Sequence, residues 1–228
     1  MRAAWLLLFL AGCTTVVPMQ TASAVDRGRV RVGGQISTSV FCGSVAAGGL
    51  GVTQCTDYPD GIPTPELRAN GRVGLGHGFD LGASLQGTGA VFAPERPFQF
   101  GLTVDLKGEL LHVRTAGPTH ILSVGLLGGA AIAGRFGLPL WPQLEWGVPL
   151  FYGLQFQHWE VVLSPSVSQR FIKSPNLTPS TSTVRTGFTL GLFHRDPAGF
   201  AVQVGYATDP ARFSNGTFQL QFGLFFDL

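Results

Sequence analysis

Residues 29–40 alternate strictly between two chemistries. Val30, Val32, Gly34, Ile36, Thr38 and Val40 occupy one parity, and Arg29, Arg31, Gly33, Gln35, Ser37 and Ser39 the other. Successive side chains of an extended chain point to opposite faces, so this stretch predicts a strand that separates an apolar environment from a polar one. The same period of two returns over 67–79, 80–92, 98–112, 120–134, 143–157, 159–171, 183–195, 199–208 and 217–228. Residues 120–134 give the weakest signal, being apolar on both faces. Charges such as Arg72, Asp105 and Lys107 stand mid-strand on the polar parity, and Phe and Leu dominate the other. That pattern is the reverse of a soluble barrel with an apolar interior.

Composition says what the apolar face meets. Only 12% of residues are charged and 45% are hydrophobic, yet no run of about 18 apolar residues exists to cross a bilayer as a helix. The best candidate, Ile121 to Gly134, is too short and is interrupted by glycines. Apolar residues spread over strands can face lipid only if every backbone hydrogen bond is made between strands, which requires a closed barrel. The expected fold is all-β: a transmembrane, antiparallel, up-and-down barrel of about ten strands, with eight and twelve as the neighbouring counts. An even count puts both termini on one side, the periplasmic one. Short links near Gly76-His77-Gly78, Gly117-Pro118, His158 and 196–199 then alternate with longer ones at 41–66, 93–97, 135–142, 172–182 and 209–216. Trp141 and Trp159 near strand ends suit an interfacial girdle. A net charge of +2 without a basic stripe predicts no nucleic-acid partner.

Two ends of the chain carry recognisable signals. Met1-Arg2 precedes an apolar run, Ala3 to Ala11, as in a secretory signal peptide. Leu10-Ala11-Gly12-Cys13 resembles the lipobox of bacterial lipoproteins, which implies lipidation of Cys13. The competing site is cleavage after Ala22-Ser23-Ala24. The domain reading is therefore a signal peptide at 1–12, alternatively 1–24, a linker at 13–27 and a barrel at 28–228. At the other end, Gln221, Gly223, Phe226 and Leu228 fill the four defined positions of a motif that resembles the C-terminal β-signal of outer-membrane proteins. Leu228 stands where Phe is commoner. The resemblance implies a bacterial outer-membrane location, with lipid and the barrel-assembly machinery as partners.

Cys42 and Cys55 remain, and in an oxidising compartment they are expected to form a disulfide worth roughly 3 kcal/mol by loop closure. Parity places Arg29, Arg31, Arg68, Arg72, Lys107, Arg170 and Arg185 in the lumen, facing Asp105, Glu109, Glu145, Glu160 and Asp227. Asp105, Lys107 and Arg72 are expected to compensate one another at mid-depth. His77, His112, His120, His158 and His194 all fall beside the short links and lack metal-ligand spacing, so they read as an amphipathic belt. No cofactor, metal or catalytic set is expected. The leading expectation is a non-enzymatic structural or interaction component of the envelope. The alternatives are a narrow, weakly anion-selective pore, because the lumen holds seven positive against five negative groups, and a lipid- or peptide-modifying enzyme.

Overall fold

The computed structural model describes residues 19–47, 50–56, 64–88, 98–134, 140–173, 181–195, 198–208 and 216–228. They form eleven antiparallel strands: β1 (Val30–Ala47), β2 (Leu50–Thr56), β3 (Thr64–Gly76), β4 (Phe79–Thr88), β5 (Phe98–Arg114), β6 (Thr119–Gly134), β7 (Trp141–Phe156), β8 (Trp159–Ile172), β9 (Thr181–His194), β10 (Ala198–Thr208) and β11 (Gly216–Asp227). Each of β3 to β11 pairs with its neighbour in sequence, β3 pairs with β1, and β11 pairs back to β1. Ten strands thus close a ring, and β2 is attached outside it.

Closure runs from Arg31↔Asp227 to Cys42↔Gly216. It is finished at one rim by Val30 and Leu228, which exchange backbone hydrogen bonds of 3.1 and 2.8 Å. The alternation predicted from the sequence is the alternation observed. Leu67, Leu85, Leu102, Val104, Leu144, Leu190 and Phe222 are exposed around the outside, while Arg72, Asp105, Lys107, Glu160, Arg170 and Gln221 are buried within. β6 obeys the same rule: its inward face carries Ile121, Ser123, Leu127 and Ala133, all buried. Ile121 on that face belongs to an apolar cluster inside the lumen, and with Leu127 and Ala133 it makes the inward face apolar, which accounts for the weak signal.

The stretch 41–66, expected as a long loop, is largely strand. β1 continues past the ring to Ala47 and folds against β2 in a register from Phe41↔Thr56 to Ala47↔Leu50. A Gly-Gly pair between extended runs is a hairpin signal, and Gly48-Gly49 lies between these two strands in the sequence. The expected link at 93–97, most of those at 135–142, 172–182 and 209–216, and the strand assignment at 89–92 lie outside the described residues. The short link at Gly76-His77-Gly78 is a tight turn in which all three residues have positive φ, at 90°, 53° and 76°. Glycine adopts that conformation without steric cost, and His77 is the one side chain that bears it.

Two departures from a regular ladder matter. Leu110 and Leu111 are both exposed at a bulge where β5 and β6 shift register after Glu109, and beyond it the odd-numbered Leu111 and Val113 face outward. Pro149 in β7 and Pro165 in β8 lack a donor and coincide with gaps in the β6–β7 and β7–β8 pairings.

An outward band of this kind predicts that Val104→Arg, at a position 44% exposed on the outer face, costs about 2–4 kcal/mol in refolding into lipid vesicles, whereas Val104→Leu costs less than about 1.5 kcal/mol. Equal stability of the two variants would mean that this face meets water.

Candidate functional site: a charged lumen occupied by the N-terminal segment

The buried polar groups divide into two layers. The layer nearer the short-turn rim is centred on Arg72 of β3, whose guanidinium bridges Asp80 of β4 and Asp105 of β5. Lys107 of β5 lies 3.3 Å from Asp80. Gly82 makes this packing feasible, since a Cβ there would lie 2.5 Å from the Arg72 Nη2 and 2.6 Å from the Asp105 Oδ2. Arg31 forms a two-pronged pair with Asp227 at 2.5 and 2.8 Å and lies over the Phe225 ring at 5.1 Å. Charge-assisted, bidentate pairs of this kind are the strong ones.

The expected triad is therefore present but differently wired. Arg72 does join Asp105, and the partner of Lys107 is Asp80, which the sequence reading leaves out. Its parity is that of Ser84, Gln86 and Thr88, so alternation extended four residues back from Ser84, through Gly82, reaches it. Glu66 and Arg195 are two further lumen groups outside the expected set: Glu66 pairs with Arg68 at 3.2 Å and Arg195 with Glu160 at 3.2 Å. Arg29, placed in the lumen by parity, is exposed at the rim, because β1 begins one residue later; its backbone bonds Asp26 and Gly74. The layer toward the other rim holds Arg170 with Glu145 at 3.0 Å, Arg68 with Gln86, Arg185 with Thr217 at 3.4 Å and Gln221 with Gln219 at 2.9 Å.

Residues 19–25, read as part of a linker, run inside the barrel, with Met19, Gln20, Thr21, Ala22, Ser23 and Val25 buried. Wall carboxylates receive their backbone N–H groups. Glu160 accepts from Ala22 at 2.6 Å and Ser23 at 3.4 Å, Glu109 from Ala24 at 3.2 Å, and Asp80 from Val25 at 3.0 Å. Lys107 donates to the carbonyls of Thr21 and Ser23 at 2.8 and 2.9 Å, and Ser123 to that of Ala22 at 2.6 Å. With Asp80, those two carbonyls give the three donors of the Lys107 ammonium three acceptors. Met19 and Ala22 join Ile121, Phe151, Val162, Phe193, Ala201 and Phe225 in an apolar cluster. Among the described residues, small cavities of about 30, 20 and 10 Å³ lie between these side chains.

The five histidines line the short-turn rim. His112 Nδ1 is 2.7 Å from Glu109 and His120 Nδ1 is 2.8 Å from the Tyr152 hydroxyl. His194 packs on Trp159 and Phe200 at 4.8 and 5.3 Å between centroids. Among the described residues no group of three or more His, Cys, Asp or Glu could hold a metal ion. The β-signal positions fall on the closing strand: Gln221 is buried in the lumen, Gly223 half-buried, and Phe226 and Leu228 exposed outside. Cys42 and Cys55 are register partners across β1 and β2. Cys13 lies outside the described residues.

A scan of protein-family models matches none of them, and a search of curated proteins finds no relative. Among solved structures, the fold resembles the outer-membrane protease OmpT from Escherichia coli, with a TM-score of 0.46 and 10% identity over 94% of this chain and 100% of that one. It also resembles Ail, the attachment invasion locus protein of Yersinia pestis, with a TM-score of 0.33 and 7% identity over 89% and 99%. A third is the outer-membrane phospholipase A of Escherichia coli, with a TM-score of 0.35 and 12% identity over 94% of each chain. All three are bacterial outer-membrane barrels. They include enzymes and a protein of another kind, so the likeness assigns no activity to this chain.

The charge wiring carries an expectation for stability. Arg72→Leu leaves Asp80 and Asp105 without their shared partner and is expected to destabilise the barrel by about 3–5 kcal/mol in urea titration of the refolded protein. Val73→Leu, on the next residue and the outer face, should shift the midpoint little. Equal midpoints would show that the charges are compensated by water.

Proposed function

We propose that the protein is a bacterial outer-membrane barrel with a closed lumen, acting as a non-enzymatic structural or interaction component of the envelope. The observation that carries this reading is the filling of the lumen. A cavity needs about 10–15 Å³ to hold one water, so the gaps of about 30, 20 and 10 Å³ between these side chains are of a size for isolated waters, which supports a blocked lumen. The outward band of Leu, Val and Phe supports the membrane location, and Trp159, exposed at the short-turn rim, supports an interfacial belt there; Trp141, expected in the same girdle, instead shares the inward parity of Gln143 and has its indole N–H buried. The rim of short turns and of Leu228 would face the periplasm.

An interaction role draws its support from the hairpin. Among the described residues β2 pairs with β1 alone, beyond the ring, and a free strand edge is a surface on which a partner chain can add a strand. The histidines support a non-enzymatic reading, since they gather at the short-turn rim in contact with rings and a carboxylate. The carboxylates Asp57, Asp60 and Asp209 of the long links lie outside the described residues. The β-signal residues would be read by the barrel-assembly machinery during insertion, and Cys13 would carry lipid.

Planar bilayers containing the purified, heat-modifiable protein are expected to remain silent; steady, ion-selective openings would replace this reading with the narrow pore. The hairpin carries a separate expectation. Cys42 and Cys55 stand opposite each other in register and are expected to be joined, so that alkylating reagents modify neither until a reductant is added, as intact mass would record. Modification of both without reductant would exclude the disulfide.

A further inference from the structure

The segment Met19–Val25 is held in a manner unlike a passing linker. Four consecutive backbone N–H groups, Ala22 to Val25, each meet a carboxylate, and three consecutive carbonyls, Thr21 to Ser23, meet Lys107 or Ser123. These carboxylates come from β4, β5 and β8, strands spread around the ring. The wall is also thinned where the segment passes. A Cβ on Gly153 would lie 2.6 Å from the Ala22 Cβ, one on Gly223 would lie 2.8 Å from the Met19 sulfur, and one on Gly74 would collide with the carbonyls of Val25 and Asp26. Ala22 has no exposed surface, and its small side chain is what Gly153 admits.

We propose that this part of the lumen is a binding site for an extended peptide with a small residue at its centre, and that its resident ligand in the mature protein is the chain's own Met19–Val25. The inference deepens the closed-lumen reading and rests on it. Its chemistry is main-chain recognition: carboxylates take successive amide N–H groups, one ammonium takes two carbonyls, and the apolar cluster takes the methionine and alanine side chains. Cleavage after Ala24 would remove the Ala22, Ser23 and Ala24 donors from Glu160 and Glu109 and both carbonyls from Lys107, leaving buried charges short of partners. Processing therefore falls before Met19, as at Cys13, and the segment stays in place.

Two measurements on protein purified from outer membranes test this. Mass mapping of the mature N-terminus is expected to recover peptides spanning Met19–Val25; a mature chain beginning at Val25 would overturn the proposal while leaving the membrane barrel intact. A broad-specificity protease applied to the folded protein, with cleavage read by mass, is expected to spare residues 19–25. Ala22→Glu, which sets a carboxylate beside Glu160, should abolish that protection, and so should Gly153→Leu. Each variant is first checked for heat-modifiable migration, and Ala22→Glu leaves the wall itself unaltered should Gly153→Leu fail to fold. Cleavage of the unaltered segment, or folded variants as resistant as the parent, would overturn the site. Absence of the protein from the outer-membrane fraction would instead overturn the reading beneath it.

Discussion

Everything in this barrel follows from the pairing of its last strand with its first. In hydrocarbon an unpaired backbone N–H or C=O costs several kcal/mol, so a sheet whose outside is apolar must have no free edge at that depth. The register from Arg31↔Asp227 to Cys42↔Gly216 removes the edge. Once it is closed, period-two alternation decides which side chains share the interior. Ten strands give a narrow interior, and the polar parity crowds it with Arg, Gln and acidic groups.

Crowding imposes compensation. Arg72 between Asp80 and Asp105, Lys107 on Asp80 and Arg31 on Asp227 come from five different strands. Each pair therefore also fixes the ring's circumference. The side-chain charges alone leave acceptors over, and the amides of Ala22 to Val25 occupy them. The wall and its occupant thus form one hydrogen-bonded unit, and the short-turn half of the barrel is better described as a filled cylinder than as a tube.

Alternation makes the ring legible in the sequence, because a strand with one charged face and one apolar face must divide two media. Val104 and Lys107 read correctly for outside and inside, and so does the pairing of Arg72 with Asp105. What escapes the sequence is whatever lacks a long period. Asp80 follows a turn and is succeeded only by Leu81 before Gly82 interrupts the polar parity, so the local pattern is too short to mark it. Glu66 falls in a stretch that reads as loop because glycines and prolines flank it. The occupancy of the lumen by Met19–Val25 has no periodic signature at all: seven residues of mixed polarity bind through their backbone, which is the same in every sequence. The only trace is a set of wall glycines, Gly74, Gly153 and Gly223, indistinguishable from the other glycines of a barrel until the segment is seen against them.

Residues 19–25 run inside the barrel, and hydrogen exchange of the backbone amides, measured on the protein in lipid vesicles, tests most directly the proposal that they close it. The amides of Ala22, Ser23, Ala24 and Val25 belong to no strand and are protected only if the carboxylates hold them. They are expected to exchange as slowly as those of β5 and β8; exchange at the rate of a free tail, alongside protected strands, would contradict closure by the segment.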